Sequence, residues 1–314
     1  MRSVAVVAVF TLSTALRLPA QAPAAFSTTP RLTGYFQPRF QTLGDSASFF
    51  LRRVRFAVEG NVTPWASYRA QIEMSTNGVG PGAAAPLAFS ATDVFIRLAH
   101  RAWGATVGQF KVPFSLESLL GASVLETSER SRIVNAAKRD IGVQADWTLA
   151  GRLVLQAAMV DGEGPNRAVN PDNRMAYFAR AVVTPLTGLD LGGAFEGYND
   201  STGANVQGVY RAARWTARAE YIDEHNRRTQ VHIRGWYGLA GYYAIPQRVE
   251  LVGRVEQFDP SNLVATDRST GYLIGLQYFM RGDNFKILAD YEAFREQAVQ
   301  VSNNRGVVQM QVRW

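Results

Sequence analysis

Arginine dominates the charged chemistry of this 314-residue chain. Only three of the 33 basic residues are lysines, at Lys111, Lys138 and Lys286, which leaves 30 arginines. The planar guanidinium presents a fork of donors that matches carboxylate and phosphate oxygens, so arginines gathered in one place would attract anions. A high arginine content can also follow from genomic base composition, and the many alanines fit that explanation. The positions of the arginines must therefore decide between the two.

Other kinds of chemistry find little support in the sequence. The chain has no cysteine, which excludes disulfides and thiolate catalysis. The cluster Asp223-Glu224-His225 lacks a nucleophile in a recognisable spacing, so a solvated loop is its simpler interpretation. No His, Asp and Glu spacing indicates a metal site, and the charge is spread along the chain rather than clustered as in nucleic-acid-binding proteins. We expect no catalytic residues, no metal, no cofactor and no nucleic-acid partner.

The last nine residues, GVVQMQVRW (306–314), alternate with a period of two. Val308, Met310, Val312 and Trp314 share one face, and polar residues occupy the other. Such alternation predicts a strand with one apolar face. A terminal strand ending on an aromatic is typical of an outer-membrane barrel, because that strand closes the ring and the aromatic lies at the membrane interface. The alternative is the last strand of a soluble β-sandwich.

Residues 1–22 have the pattern of a secretory signal peptide. Arg2 precedes an apolar run from Val4 to Leu16, and Ala20-Gln21-Ala22 is a small-x-small cleavage site. The apolar run is too short to be a transmembrane anchor. We therefore expect residues 23–314 to form one exported barrel domain.

From Arg31 onward, the sequence repeats a strand, a turn and another strand. The repeat predicts an all-β fold, a transmembrane antiparallel β-barrel of about 16 strands. The strands are long enough to cross a bilayer when tilted, and aromatic residues gather near their ends. The candidate strands are Leu32–Phe40, Phe50–Glu59, Ala66–Met74, Thr92–His100, Trp103–Lys111, Asp140–Leu149, Leu153–Val160, Met175–Thr184, Leu189–Tyr198, Asn205–Ala213, Arg214–Ile222, Val231–Tyr243, Val249–Phe258, Thr270–Phe279, Phe285–Ala293 and Gly306–Trp314.

The connections between these strands alternate in length, as short periplasmic turns and longer extracellular loops do in bacterial barrels. The candidate short turns are at 61–64, 150–151, 187–188 and 246–247. The candidate long loops are Ser75–Ser90, Asp161–Arg174, Asp223–Gln230, Asp259–Ser269 and Arg295–Arg305.

One segment interrupts the rhythm of strands and turns. Residues 113–137, PFSLESLLGASVLETSERSRIVNAA, have no period of two, and Ser115–Leu120 and Leu125–Ile133 are candidate short helices. We expect this long loop to fold into the pore, and an ordinary surface loop is the alternative.

Three linked blocks give the sequence a resemblance to a known family. The first is FLRRVRFAVEGNVTPWASYRAQIEM (50–74), the second runs from DVFIRL (93–98) into GQFKVPFSLESL (108–119), and the third is SERSRIVNAAKRDIGVQADW (128–147). In this order and spacing they resemble the phosphate-selective porins O and P of Gram-negative outer membranes. The resemblance runs from about Phe49 to Trp314 and implies a sixteen-stranded, trimeric, anion-favouring channel.

The resemblance also implies basic residues on the inner wall and beside an inward-folded loop. Matching positions in this sequence are Arg53, Arg55 and Arg69 on early strands, and Arg130, Arg132, Lys138 and Arg139 at the loop. Side-chain alternation adds to the inward set Arg97, Arg180, Arg218, Arg234, Arg254, Lys286 and Arg313. Inward carboxylates would pair with many of these residues and brace the wall. The phosphate selectors of the family rely partly on constriction lysines, and this chain has few, which weakens the case for phosphate specificity.

The combined prediction is an outer-membrane porin for passive diffusion of small anions, with phosphate and polyphosphate as candidate solutes. Its expected partners are small inorganic anions, outer-membrane lipid and two further copies in a homotrimer. Small outward residues, Ala66, Ala70, Ala217 and Ala219, would allow the walls of neighbouring copies to approach closely. The alternative is a non-conducting outer-membrane barrel that acts as an adhesin, a scaffold or a rim enzyme. A loop 113–137 inside the barrel would favour the pore.

Overall fold

The computed structural model describes residues 27–75, 88–167 and 169–314. The predicted signal peptide, residues 1–22, lies outside these ranges, as does most of the predicted loop Ser75–Ser90. The described chain forms a closed ring of sixteen strands in sequence order, each antiparallel to its neighbours, with β1 paired to β16. The predicted barrel and its strand number are therefore confirmed.

Each predicted strand is present, several with longer bounds. The strands are β1 (Arg31–Leu43), β2 (Ser46–Thr63), β3 (Ala66–Ser75), β4 (Ala88–His100), β5 (Trp103–Lys111), β6 (Arg139–Leu149), β7 (Leu153–Val160), β8 (Ala176–Leu186), β9 (Leu189–Tyr198), β10 (Ser201–Ala212), β11 (Trp215–Asn226), β12 (Val231–Ile245), β13 (Val249–Asp259), β14 (Ser269–Phe279), β15 (Phe285–Glu296) and β16 (Arg305–Arg313). A helical turn, α1 (Leu116–Leu119), and a 3₁₀ turn (Ala122–Val124) lie between β5 and β6. No helix in the described ranges is long and apolar enough to cross a membrane.

The two faces of the sheet are inverted relative to a soluble protein. On β14 the apolar Ile274 is 70% exposed, whereas Gln277 is 1% exposed. The same inversion recurs on β16, where Val308 and Met310 are exposed and Gln309 and Gln311 are buried. A wall that turns apolar residues outward and polar residues inward suits lipid outside and water inside.

The ring closes through the end of the chain. The Trp314 backbone N–H donates to the Gly34 carbonyl at 3.0 Å, and the Gly34 N–H donates to the Trp314 carbonyl at 3.2 Å. The indole of Trp314 packs against Phe36 and Phe56, with ring centroids 6.2 and 5.8 Å apart. Trp314 therefore lies on the outer wall at the β1–β16 seam.

The connections follow the predicted alternation in part. The end of the barrel that carries the chain termini has short turns, such as Pro64–Trp65 and the turn around Gly188. The opposite end carries the longer segments 161–175, 260–268 and 297–304, but also two short connections, at 44–45 and 199–200. The predicted loop Asp223–Gln230 is shorter than expected, because β11 continues to Asn226.

Candidate functional site

The segment between β5 and β6 lies inside the barrel. Its helical turn α1 begins after Ser115, whose hydroxyl accepts a hydrogen bond from the Ser118 N–H at 3.2 Å. The free N–H groups of Leu116 and Glu117 donate to the carboxylate of Glu220, on the inner face of β11, at 2.9 and 3.3 Å. The expected inward fold of residues 113–137 is therefore confirmed. Their second expected helix, Leu125–Ile133, is wrong, because those residues form bends and turns.

Apolar contacts seat this pore loop, residues 112–138, against one side of the inner wall. Phe114 is buried in a cluster with Ile222, Tyr237, Leu239 and Val252 from β11, β12 and β13. Ala122 and Leu125 form a second cluster with Tyr35 of β1. Burying these apolar groups gives the loop a fixed position that polar contacts alone would not specify.

Polar bonds to the loop backbone reinforce this position. The Ser128 N–H donates to Asp290 of β15 at 2.6 Å, and the Arg132 N–H donates to both oxygens of Glu256 at 3.3 Å. From β13, Arg254 donates to the carbonyl of Glu129 at 2.8 Å. These contacts fix the loop to β11–β15 and β1, and open space beside the loop is bordered by β1–β4, β6, β15 and β16.

That open space is a cavity of about 750 Å³ next to the loop, which we call the vestibule. It lies toward the end of the barrel that carries the longer segments. Eight arginines and three glutamates line it, so the positive charges exceed the negative charges by five. The arginines are Arg39, Arg52, Arg53, Arg55, Arg130, Arg132, Arg139 and Arg305, and the glutamates are Glu73, Glu129 and Glu292.

Three of these arginines converge on the carboxylate of Glu129. Arg39 Nη1 donates to Oε1 at 2.6 Å, Arg52 Nε donates to the same oxygen at 2.5 Å, and Arg53 Nη2 donates to Oε2 at 2.9 Å. Burial alone would raise the pKa of Glu129, but Arg53, Arg39 and Arg52 hold it well below its usual range. Glu129 is therefore ionised at neutral pH, and the four-residue cluster retains a net positive charge.

Other vestibule arginines are paired one to one. Arg55 donates to Glu73 on the neighbouring strand, and Arg139 Nε donates to Asp93 at 2.7 Å. Arg305 Nη2 donates to Glu292 at 2.5 Å. Paired charges of this kind brace the wall and contribute less to the field in the pore than a free cation does.

Arg130 differs from these residues because it forms no ion pair within the part of the chain that the structure describes. Its Nε donates to the carbonyl of Glu117 at 2.9 Å, and its Nη2 donates to the carbonyl of Leu120 at 2.8 Å. Burial, with Arg53 nearby, lowers the pKa of Arg130 to about 10, so the guanidinium remains charged at neutral pH. Arg130 therefore adds to the loop side of the vestibule a charge that has no ion-pair partner among the described residues.

One known protein family matches this chain from residue 33 to its last residue. The model of the family described as phosphate-selective porin O and P matches residues 33–189 and 189–314. The chain belongs to this family. A further match is an uncharacterized protein of Caulobacter vibrioides, 28% identical over 148 residues, which are 44% of this chain and 28% of that protein.

Solved structures with the same fold are outer-membrane proteins, and a channel and a porin are among them. DcaP, an outer-membrane channel of Acinetobacter baumannii, aligns with this porin at a TM-score of 0.68 and 10% identity, covering 91% of this chain and 97% of its own. A loop-deletion mutant of OmpT from Vibrio cholerae aligns at 0.65 and 12% identity, covering 91% and 99%. A mutant of the Rh. blastica porin aligns at 0.62 and 14% identity, covering 91% and 100%. At these identities the likeness concerns the fold.

The vestibule of this porin gathers five of the eight predicted site residues. Arg53, Arg55, Arg130, Arg132 and Arg139 line it together. Arg132 is held at the wall, where its Nη1 donates to the Ser269 hydroxyl at 2.6 Å and its guanidinium lies 4.8 Å from the ring centroid of Phe294.

The other three predicted residues face the lumen elsewhere, each beside carboxylates. Arg69 donates to Glu59, and Arg97 forms two hydrogen bonds with Asp146, at 2.7 and 2.9 Å. Lys138 Nζ lies 2.9 Å from Glu196 and 2.5 Å from Glu224. Burial lowers the pKa of Lys138, but these two glutamates outweigh it and raise the pKa overall. Lys138 therefore links the loop to β9 and β11 of the wall through two ion pairs.

Sequence reasoning missed Arg39, Arg52 and Arg305. Arg39 alternates with aromatic and proline neighbours in YFQPRFQ (35–41), so the strand pattern alone could have found it. Arg52 could not be found this way, because the β1–β2 register shifts there: Arg53 pairs with Gln37, and Leu51 pairs with Pro38. The extra residue of this β-bulge turns two consecutive arginines toward Glu129.

One inward assignment is wrong. Arg234 is exposed and shares its side of β12 with the outward Trp236, whereas Tyr237 faces the lumen. Arg234 Nε donates to Asp223 at 2.8 Å, and His232 Nδ1 lies 2.9 Å from the same carboxylate. The rings of His225 and His232 stack 4.0 Å apart on this outer rim. Within the described ranges, no group of three or more His, Asp or Glu could hold a metal ion.

Proposed function

We propose that this porin allows passive diffusion of small anions across the outer membrane. The observation that carries the proposal is the composition of the vestibule, with eight arginines against three glutamates around about 750 Å³. A charged cleft with low-dielectric walls concentrates counter-ions and speeds their entry. The loop beside the vestibule limits the size of the solutes, and the arginines replace part of the hydration of an entering anion.

The pairing within the vestibule supports weak rather than tight anion binding. Most of its arginines already donate to wall or loop carboxylates, and conduction requires sites that release the ion. Small inorganic anions are therefore the proposed solutes, with phosphate and polyphosphate among the candidates. The proposal includes no covalent chemistry, no catalytic residues and no cofactor. Seating of the pore loop inside the barrel favours a pore over a non-conducting adhesin, scaffold or rim enzyme.

The working assembly is proposed to be a homotrimer in outer-membrane lipid. One of the similar structures, OmpT of Vibrio cholerae, is described as a trimer form, with a TM-score of 0.63 and 11% identity. Outward alanines on β3 and β11 offer places where backbones of neighbouring copies could approach closely.

The test is the reversal potential of the purified trimer in planar bilayers under a KCl gradient. An anion-selective pore shifts the zero-current voltage toward the chloride equilibrium potential. A cation-selective or unselective pore contradicts the anion proposal, and the absence of current from correctly folded protein supports the non-conducting alternative.

A further inference from the structure

Glu129 has two separate sets of contacts, one through its backbone and one through its side chain. The backbone carbonyl accepts from Arg254 Nη1 at 2.8 Å and from the Thr127 hydroxyl at 2.8 Å. The preceding Ser128 N–H binds Asp290 at 2.6 Å. None of these bonds involves the Glu129 carboxylate, so the loop has anchors at this point that do not depend on that side chain.

The carboxylate itself accepts hydrogen bonds from three guanidinium groups of the vestibule lining. Arg39, Arg52 and Arg53 all donate to it within 3.0 Å. An ionised carboxylate accepts through two oxygens with about four lone-pair positions, and charge-assisted bonds to arginine are the strong class of hydrogen bond. The wall therefore holds a carboxylate in a site that could equally accept a free oxyanion.

We propose that Glu129 is a specificity-determining residue, a tethered counter-anion that keeps the Arg39–Arg52–Arg53 cluster from retaining multiply charged oxyanions. The proposal rests on the proposed anion pore and concerns which anions that pore releases. Because the side chain is attached to an anchored loop, its effective concentration at the cluster is high, and a free anion must compete with it. A singly charged ion then passes along a cluster of reduced charge, as conduction requires.

The structure indicates what removal of the carboxylate would do. With Glu129→Gln the three arginines would lose their shared anionic partner, while the bonds to the Glu129 carbonyl would remain. Three close guanidinium groups without a counter-charge would favour an anion that brings two charges and several acceptor oxygens. Inorganic phosphate at mildly alkaline pH has these properties.

The experiment titrates inorganic phosphate against the chloride current of the reconstituted trimer. For E129Q we expect the half-blocking phosphate concentration to fall about tenfold relative to wild type, which corresponds to about 1.4 kcal/mol. The matched control is E73Q, which also removes one vestibule carboxylate but one that pairs with Arg55 alone. Its half-blocking concentration should change about twofold or less, because a single arginine is released rather than three.

Two results would overturn the proposal: an unchanged half-blocking concentration in E129Q, or equal falls in E129Q and E73Q, which would mean that only net charge matters. If E129Q does not fold into the heat-modifiable barrel, E129D provides the test, because its shorter side chain keeps the charge but withdraws it from the cluster. Phosphate should block E129D more strongly than wild type, and equal block would overturn the proposal. A wild-type reversal potential without anion preference contradicts the proposed function instead, and leaves this comparison of variants intact.

Discussion

Replacing Arg130 with glutamine should weaken the proposed anion preference of the channel more than replacing an exposed loop arginine does. Arg130 is 7% exposed, lines the vestibule and forms no ion pair with any described residue. Its charge is therefore more available to a solute than that of an arginine that is paired with a carboxylate. Arg228 is the matched control, because it lies on the outer connection 227–230 and pairs with Asp200 at 3.1 Å.

The expected magnitude follows from Coulomb's law. A unit charge about 4 Å from an ion contributes about 1 kcal/mol in bulk water and about 4 kcal/mol at an effective dielectric constant of about 20. The water-filled vestibule is closer to the first value. The charge attracts chloride and repels potassium by the same amount, so the ratio of their permeabilities responds to about 2 kcal/mol. Since about 1.4 kcal/mol is a tenfold factor, R130Q should lower the ratio of chloride to potassium permeability about thirtyfold. R228Q should leave that ratio nearly unchanged.

The assay is the reversal potential of each variant in a KCl gradient at two ionic strengths. At about 0.1 M salt the Debye length is about 10 Å, so exposed charges are largely screened, whereas partly buried ones are screened much less. Any effect of R228Q should vanish at high salt, and that of R130Q should persist. R130K separates charge from loop geometry, because it keeps the cation and should retain the wild-type preference. A wild-type reversal potential in R130Q, or equal losses in R130Q and R130K, would refute the reasoning.

Three further predictions concern assembly and the loop. Deleting Trp314 removes the backbone bonds to Gly34, so the heat-modifiable barrel in outer membranes should fall strongly, and normal levels would contradict its role in closure. Ala70→Trp and Ala219→Trp should not both dissociate the trimer on native gels, since β3 and β11 lie eight strands apart around the ring and one continuous interface covers one side only. Asp290→Asn weakens the charged acceptor of the Ser128 N–H, by about 1 kcal/mol, and should make the open-channel current noisier; an unchanged noise spectrum would mean that the other anchors suffice.

The barrel was predictable because its determinants are local. A period of two with apolar residues on one side, as in Val308, Met310 and Val312, identifies a strand without knowledge of its partner. The interruption at 113–137 was visible for the same reason, since it breaks that period. The expected helix at Leu125–Ile133 failed because the wall, through Asp290, Glu256 and Arg254, satisfies the backbone groups that a helix would have satisfied internally.

The vestibule was only partly predictable, because it depends on pairings between distant residues. Alternation placed Arg53 and Arg55 inward correctly, but it could not show that Arg52 joins them through a bulge. Nor could it show that Glu129, 76 positions after Arg53, would supply their shared counter-charge. The register of β12 near its end also decides that Arg234 faces outward, and a strand pattern that loses its alternation near a rim leaves that choice open.

Arginine and lysine side chains have different hydrogen-bonding roles in this barrel, and the difference explains how the proposed anion pore could work with few lysines. Arg39 donates to Gln309, Gln41, the Ser128 carbonyl and Glu129 at once, which a single ammonium with three donors could not do. Two of the lysines, at the ends of β5 and β15, instead hold the loop backbone: Lys111 Nζ donates to the carbonyls of Leu119 and Leu120 at 3.1 and 2.7 Å, and Lys286 Nζ donates to that of Leu125 at 3.2 Å. An arginine can therefore brace the wall and also present its charge to a solute, because its planar guanidinium has enough N–H groups to donate in more than one direction. In the proposed anion pore, the field in the vestibule therefore depends on how completely carboxylates of the loop and of the wall occupy those forks, rather than on the number of basic residues alone.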